Sequence, residues 1–485
     1  MEKLECPFNW GFGNPKKVYE YSSYEDEALI PLVRLMKVLM RIFAACKKEA
    51  TTTEENQRIL LDLRGCDAQL SLVERSDTDR NLSHDVIQHI VQGTRVFVYS
   101  FLANKQLDLE MEEALSSIEP VDLSDKKARS TLFGCKSICW AKYAHADSDE
   151  SEKLIREAIE DNQNCDLWYF VLGRILRKKR RNFTFGSPPK EEEKCCFSKA
   201  YSLSKNNPVY TIFFGQMLRE KCLDKCLSKP AQKLLRKEAI GLYEQVLQQN
   251  PEKISILLRL ALGFMALGKL GRAKQCLDKI PEPPEGHHKR SMYLHYQGRY
   301  HLKSKRYLTA ANFLQEAAKE DNLGADYQYI ACMRRVDSEF KVSEHLRKME
   351  DKYSVRFPAK QTQRILLMLA ISYWKNDDDI GNSLSYFEKA LAVDPKSEIF
   401  TNCNTSQVVE EKLPNNIFKL LEKKFLPHVY KEYSSCKDII EMADTIKKYC
   451  FEHRVSQYRS DSTVRPFDSS RLDILMENLS AKRAK

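Results

Sequence analysis

The residues with the clearest chemical potential form a run of five cations, Arg177 to Arg181, in the stretch GRILRKKRRNF. Guanidinium and ammonium groups bind phosphates, so such a run is typical of nucleic-acid contacts. The same run suits a helix C-terminus, where unpaired carbonyl groups favour cations, and it matches a nuclear localisation pattern. The run alone does not distinguish a nucleic-acid contact from a helix C-terminus or a localisation signal.

Positive charge is concentrated around this run. The whole chain has a formal net charge of +10, and the stretch from Trp168 to Ile240 alone contains 17 Lys+Arg and 6 Asp+Glu, an excess of 11. The same stretch contains ten aromatic residues, and planar rings stack on bases. Most of these rings also fall at core positions of helices. Charge and aromatic content therefore leave both a nucleic-acid groove and an ordinary core open.

The sequence lacks the motifs on which common catalytic sites depend. It has no phosphate-binding loop, no GxSxG elbow and no HExxH pair. His287-His288 lie in a turn-like linker, which is typical of exposed histidines, and Asp377–Asp379 resemble a turn with a helix N-cap more than a calcium loop. The 15 cysteines show no zinc-finger spacing and indicate core residues in a reducing compartment. We therefore expect no enzyme, no cofactor and no metal.

The elements that must position the cations are helical repeats. Four segments share one spacing, in which a small residue is followed four positions later by a large apolar one and then, after three more, by a small or β-branched one. These triplets are Ala239/Tyr243/Val246, Ala273/Leu277/Ile280, Ala310/Leu314/Ala317 and Ser383/Phe387/Ala390. Ala239 and Ala273 are separated by the 34-residue tetratricopeptide period. Small residues let antiparallel helices approach, and large ones fill the gap to the next pair.

This spacing predicts an all-α fold, a tetratricopeptide-repeat α-solenoid. We expect a right-handed superhelix of about nine helix pairs whose first helices line a concave face. The expected divisions are N-terminal repeats over 1–125, central basic repeats over 126–320, C-terminal repeats with capping helices over 321–455, and a polar tail over 456–485. The N-terminus does not resemble a secretory signal, and the longest apolar stretch, ISILLRLALGFMALG, is too short to span a bilayer. We therefore expect a cytoplasmic protein without membrane association.

The N-terminal stretch LECPFNW places Leu4, Cys6, Phe8 and Trp10 in the pattern L-x-C-x-F-x-W. This pattern resembles the opening of the interferon-induced proteins with tetratricopeptide repeats, the IFIT family. The segments NCDLWYFVLGRIL, CCFSKAYSLSKNNPVY and NPEKISILLRLAL resemble later segments of the same family. The resemblance covers most of the chain to about residue 400. The chain differs from the family in a basic-then-acidic insertion over 177–194.

The resemblance implies an antiviral, interferon-induced protein whose central repeats hold single-stranded RNA by its 5′ end, with a triphosphate or a cap there. It also implies homo- or hetero-oligomers with related repeat proteins. By position, Trp168 matches the family tryptophan that packs against the 5′-terminal base or cap, and Arg299 falls at a pocket lysine. The expected RNA-binding residues are Trp168, Arg174, Arg177, Lys178, Arg181, Arg219, His295 and Arg299.

Two hypotheses about function therefore compete. In the first, the chain sequesters RNA without a catalytic step, and the cation run steers the strand as the rim of the groove. In the second, the chain is an adaptor in innate immune signalling whose basic groove binds an acidic protein segment. RNA binding should weaken steeply with salt, which distinguishes it from most protein docking.

Overall fold

The computed structural model describes residues 4–12, 30–47, 52–75, 81–102, 107–143, 148–183, 187–287, 289–355 and 359–461. These residues are mostly helical, and no β-strand occurs among them. None of the helices in these ranges is both long and apolar enough to cross a membrane. Contacts divide the chain into two compact units, Met1–Tyr296 and Gln297–Lys485.

The first unit begins with a 3₁₀ turn and continues as consecutive helix pairs. Its elements are the turn Pro7–Asn9, α1 (Pro31–Cys46), α2 (Thr53–Glu74), α3 (His84–Leu102), α4 (Asp108–Ser116), α5 (Lys126–Tyr143), α6 (Ser148–Asp161), α7 (Asp166–Phe183), α8 (Glu191–Leu203), α9 (Pro208–Lys221), α10 (Lys229–Gln248), α11 (Ile254–Ala266) and α12 (Leu270–Asp278). Helix α13 (Arg290–Lys303) includes the residues on both sides of the division.

The second unit continues the same pattern and then changes. Its helices are α14 (Tyr307–Lys319), α15 (Leu323–Val336), α16 (Val342–Ser354), α17 (Ala359–Lys375), α18 (Ile380–Val393), α19 (Ile417–Leu420), α20 (Leu426–Glu432) and α21 (Lys437–Asp461), with a 3₁₀ turn at Glu398–Phe400 and a π-helical turn at Leu421–Phe425. Residues 456–461, assigned to the polar tail, are therefore helical, and residues 462–485 lie outside the described ranges.

The predicted small-and-large spacing is confirmed as the packing rule of the helix pairs. Every residue of the four triplets is buried. A Cβ atom added at Gly298 would lie 2.6 Å from the Leu314 side chain, and one added at Gly263 would lie 2.6 Å from the Tyr243 ring. Since real Cβ atoms do not approach so closely, only glycine lets these large side chains fill the space between helices.

Helix ends follow the sequence signals. Thr52 and Glu55 form a reciprocal capping box at the start of α2. Asp379 caps α18 by accepting a hydrogen bond from the backbone N–H of Asn382 at 2.9 Å, which confirms the N-cap predicted in the Asp377–Asp379 run. Asp378, one residue earlier, has a left-handed backbone with φ of 52°.

The N-terminal segment Leu4–Phe12 packs against helices α1, α3 and α5. The Cys6 side chain is fully buried, and a Cβ atom at Gly93 would lie 3.3 Å from it. The Phe8 ring stacks on Phe97 with centroids 5.1 Å apart, and the backbone N–H of Glu5 donates to Nε2 of His89 at 3.0 Å. The L-x-C-x-F-x-W pattern therefore has a structural cause, because its apolar positions bind the first unit's helices together.

A buried polar group links α15 and α16 in the second unit. The Asp326 carboxylate is 5% exposed. Its Oδ2 accepts a hydrogen bond from the Tyr353 hydroxyl at 2.7 Å, and its Oδ1 lies 3.0 Å from Nε2 of His345. These contacts compensate the carboxylate for the water that it loses on folding.

Candidate nucleic-acid interface

The five-cation run forms the last turns of α7, which continues unbroken through it. Lys179 pairs with Asp149 and Glu152 of α6. Lys178 donates a hydrogen bond to the carbonyl oxygen of Ala141, at 2.9 Å. The two lysines thus attach α7 to the preceding helix pair.

Glu220, on α9, is the centre of the arginine part of the run. Its Oε1 lies 2.5 Å from Nη2 of Arg177 and 2.6 Å from Nη2 of Arg181, and its Oε2 lies 2.7 Å from Nη2 of Arg180. The Arg219 guanidinium lies 3.6 Å from Oε1. Burial alone would raise the pKa of Glu220, but the charges and hydrogen bonds of the arginines outweigh it and lower this pKa to about 2.

Arg177 and Arg180 hold neighbouring helices together in addition to contributing positive charge. Both side chains are only 6% exposed. Arg180 also forms a bidentate ion pair with Glu193 of α8, with contacts of 2.7 and 2.9 Å, so it joins α7, α8 and α9. Burial lowers the pKa of Arg177 to about 10, although Glu220 opposes the shift. Since that value is still far above neutrality, Arg177 is charged inside the protein.

The expectation that Arg177, Lys178 and Arg181 together form the rim of an RNA groove is not supported for Arg177 and Lys178. Arg177 is buried against Glu220, and Lys178 is held by a backbone carbonyl. Only Arg181 is substantially open to solvent, with a side chain 47% exposed. The run meets carboxylates of α6, α8 and α9 because these helices pack around the end of α7.

A second group of arginines surrounds the ring of Phe213, on α9. The guanidinium carbons of Arg174, Arg177 and Arg259 lie 4.9, 5.8 and 4.6 Å from the ring centroid. These distances are typical of cation–π contacts. The first helices of three successive pairs, α7, α9 and α11, thus bring their arginines to one place.

We call this site the arginine cluster, which consists of Arg174, Arg177, Arg180, Arg181, Arg219 and Arg259. Helices α7, α9 and α11 contain nine Lys and Arg but two carboxylates, Asp166 and Glu220. Glu193 of α8 supplies a third. Because the helices of the cluster supply few carboxylates, the cluster retains an excess of positive charge and suits an anion.

Trp168 lies in the core and does not present a face to a base. Its side chain is fully buried, and a Cβ atom added at Gly134 of α5 would overlap its ring. The indole Nε1–H donates to the hydroxyl of Ser130 at 2.9 Å. The expectation that this ring stacks on a terminal base is therefore not supported by its position. Five other aromatics of the basic stretch are buried too, as the core interpretation predicted: Phe170, Phe197, Tyr210, Phe213 and Phe214.

His295 and Arg299 lie half-buried on α13. The His295 ring is 5.8 Å from that of Tyr296 in the first unit, whereas Arg299 belongs to the second unit. His295 and Arg299 are not part of the arginine cluster, and their contact with RNA stays a prediction. Arg174 and Arg219, in contrast, are brought together with the buried part of the run.

Sequence reasoning missed Arg259, Glu220 and Glu193 as members of the site. Arg259 interrupts the apolar helix ISILLRLALGF, and a cation in such a helix usually has a specific partner or role. The three glutamates that follow the cation run, Glu191 to Glu193, were a further signal, because Glu193 pairs back with Arg180. Within the ranges that the structure describes, no group of three or more His, Cys, Asp or Glu side chains could hold a metal ion.

Comparison with known proteins agrees with the fold. A family model described as tetratricopeptide repeat matches residues 236–286. A comparison with curated protein sequences gives no match.

Solved structures of human IFIT1 are similar over nearly the whole chain. A human IFIT1 dimer with PPP-AAAA has a TM-score of 0.56 at 12% identity and covers 96% of this chain and 99% of its own. A human IFIT1 dimer with m7Gppp-AAAA has a TM-score of 0.53 at 13% identity and covers 92% and 98%. A monomeric IFIT1 mutant with Gppp-AAAA has a TM-score of 0.55 at 12% identity, covering 93% and 98%. At these identities the likeness concerns the fold, an all-α tetratricopeptide-repeat solenoid.

Proposed function

We propose that the chain binds single-stranded RNA, without a chemical step, and that the arginine cluster holds an RNA phosphate. The observation that carries the proposal is the convergence of six arginines from α7, α9 and α11 on one site with few carboxylates. Arginine binds phosphate through parallel N–H donors, and burial strengthens such contacts.

The hydrogen-bonding state of the cluster supports the proposal. The Nε atoms of Arg177 and Arg219 are buried, and neither has an acceptor among the described residues. A buried donor without an acceptor costs about 1–3 kcal/mol, so an acceptor-rich ligand is favoured there. A phosphate group offers several acceptor oxygens, whereas Glu220 offers two and already uses both.

The solved neighbours favour RNA over other anions. The three IFIT1 structures were solved with m7Gppp-AAAA, PPP-AAAA and Gppp-AAAA. We extend this to the present chain as binding at a 5′-terminal phosphate, because terminal phosphates carry more charge than internal phosphodiesters. An antiviral role through RNA sequestration in the cytoplasm, and assembly with related repeat proteins, belong to the same proposal.

The test is binding of labelled single-stranded RNAs with 5′-hydroxyl, 5′-triphosphate or capped ends, at two salt concentrations. Arg219→Gln and Arg259→Gln are compared with Arg58→Gln, an exposed arginine on α2. Loss of one charge-assisted contact, about 1.5–3 kcal/mol, corresponds to roughly 10- to 100-fold weaker binding. Arg58→Gln should bind like the wild type, and melting curves should show all three variants folded.

Two results would overturn the proposal. Equal RNA affinity in all three variants would show that RNA does not bind at the arginine cluster. Absence of RNA binding by the wild type, together with salt-sensitive binding of poly-L-glutamate that both cluster variants lose, would assign the cluster to an acidic protein segment.

A further inference from the structure

Helix α10 is longer than the packing of its pair requires. It has 20 residues, whereas α8 has 13 and α12 has 9. Its buried residues, Ala239, Leu242, Tyr243, Val246 and Leu247, all lie in the second half. Residues 229–238 contribute no buried side chain. The first half of α10 is therefore held by hydrogen bonds of Gln232 and Arg236 and not by fully buried side chains.

This extension is strongly basic. Residues 225–238 contain five cations, Lys225, Lys229, Lys233, Arg236 and Lys237, and one carboxylate, Glu238, at the end of the extension. The nearest preceding acid, Asp224, is 9% exposed and pairs with Lys221 at 3.1 Å. The four lysines of the set are exposed, and within the described part of the chain none has an ion pair. A solvated helix face usually mixes charge signs more evenly than five cations against the single carboxylate of Glu238.

Three of the lysines form a line along the helix. Lys229, Lys233 and Lys237 are spaced by four residues, so they share one face and follow each other at about 6 Å along the axis. We call this set the lysine stripe. A linear series of exposed cations suits a linear polyanion better than a single small anion.

The basic extension of α10 adjoins the arginine cluster through Arg236. Burial raises the pKa of the Cys222 thiol, while Arg236 and Arg219 both lie close enough to oppose that shift. Arg236 donates to the carbonyl oxygen of Leu267, just after α11, at 2.7 Å. Arg219 belongs to the cluster and Arg236 to the extension, so the turn between α9 and α10 joins the two basic surfaces.

We propose that the lysine stripe is a second RNA-binding surface, which carries the sugar-phosphate backbone of the strand after it leaves the arginine cluster. This proposal rests on the proposed function. The contacts are to phosphates, so RNA affinity at the stripe depends on the length and charge of the RNA and not on its base sequence. Exposed Leu223 and Leu234 flank the stripe, with exposed fractions of 76% and 66%, so an acidic protein partner is the rival occupant that the test must address.

The test compares RNAs of about four and about twenty nucleotides, both with a 5′ triphosphate, since only the longer strand can reach beyond one site. The full-length variant carries Lys229→Gln, Lys233→Gln and Lys237→Gln, because Gln keeps helix propensity and removes charge. The control carries Lys126→Gln, Lys127→Gln and Lys153→Gln, three exposed lysines of α5 and α6 in the same unit. Both triple variants lose the same charge.

For the stripe variant, binding of the long RNA should weaken at least tenfold, and its log–log salt slope should fall by about 2, since each lost single-strand phosphate contact contributes roughly 0.7. Binding of the short RNA should be unchanged, and the control should match the wild type with both RNAs.

If the stripe variant weakened binding of both RNA lengths equally, or of neither, the proposal for the lysine stripe would be wrong, while the proposal for the arginine cluster would still stand. Failure of the wild type to bind either RNA would instead remove the proposed function. Binding of poly-L-glutamate that only the stripe variant loses, with long-RNA binding unchanged, would overturn the proposal in favour of an acidic protein.

Discussion

Replacement of Glu220 by Gln should destabilise the first unit, and the cost should depend on pH. Glu220 is the shared partner of Arg177, Arg180 and Arg181, and its side chain is 13% exposed. Gln keeps the shape of the side chain but removes the charge. The buried arginines then repel each other without a compensating carboxylate. Removing one partner of a buried ion pair is strongly destabilising, because it leaves the other charge buried and unneutralised.

The magnitude follows from the pKa of the carboxyl group. Its ordinary value is 4.5, and the arginines lower it to about 2 in the folded protein. A difference of this size corresponds to about 3 kcal/mol in favour of the folded state at neutral pH. Because the folded pKa is the lower one, this stabilisation is present above about pH 4.5 and is lost as the pH falls towards 2.

The assay is urea unfolding of the wild type and of Glu220→Gln across a pH series, followed by tryptophan fluorescence. Three of the four tryptophans, Trp10, Trp140 and Trp168, lie in the first unit, so the signal reports mainly on it. The difference in free energy of unfolding should be constant near neutrality and shrink below pH 4.5, because a protonated Glu220 is as neutral as Gln. Glu252→Gln, at an exposed position, is the matched control.

Two results would refute this reasoning. One is a difference between wild type and Glu220→Gln below about 0.5 kcal/mol at neutral pH, within the range of ordinary surface substitutions. The other is a large difference that stays the same down to acidic pH, which would assign the loss to altered packing and not to charge.

Three further substitutions test the packing. Gly134→Ala places a methyl group in the space of the Trp168 ring and should lower the free energy of unfolding by about 2 kcal/mol in urea titrations; an unchanged midpoint would contradict that contact. Ser130→Ala leaves the buried indole N–H of Trp168 without its acceptor and should cost about 1–3 kcal/mol, while RNA affinity per folded molecule stays the same; a selective loss of RNA binding would return Trp168 to the binding site. Tyr353→Phe removes a hydrogen bond to buried Asp326 and should reduce hydrogen-exchange protection of α15 and α16, with the first unit unaffected; equal protection in both proteins would contradict its role.

The fold was predictable because the relevant physics is local. Each repeat must place a small residue where two helices cross, so the spacing of Ala310 and Leu314 recurs in four segments between residues 239 and 390 whatever the function. Gly298 of α13 leaves room for the Leu314 side chain in the same way. The same locality explains the success of the N-cap at Asp379, which depends on three neighbouring residues.

The site was less predictable because it depends on pairs that are distant in sequence. Arg177 and Glu220 are 43 residues apart, and no spacing rule connects them. The run of cations therefore suggested the rim of an RNA groove, although the folded chain uses most of it to hold helices together. Arg259 appeared in the sequence only as an interruption of an apolar helix, and its place beside Phe213 required the packing of α9 on α11.

The N-terminal segment Leu4–Phe12 has a consequence for folding during synthesis. It is synthesised before its partners His89, Lys136 and Trp140, and the contact between Glu5 and His89 alone spans 84 residues. At typical rates of translation this corresponds to a wait of about 10 s for the last partners. The helix pairs can form meanwhile from contacts between neighbours, which close quickly. Docking of Cys6, Phe8 and Trp10 is therefore a late step, and until it occurs these apolar side chains are available to chaperones and to aggregation.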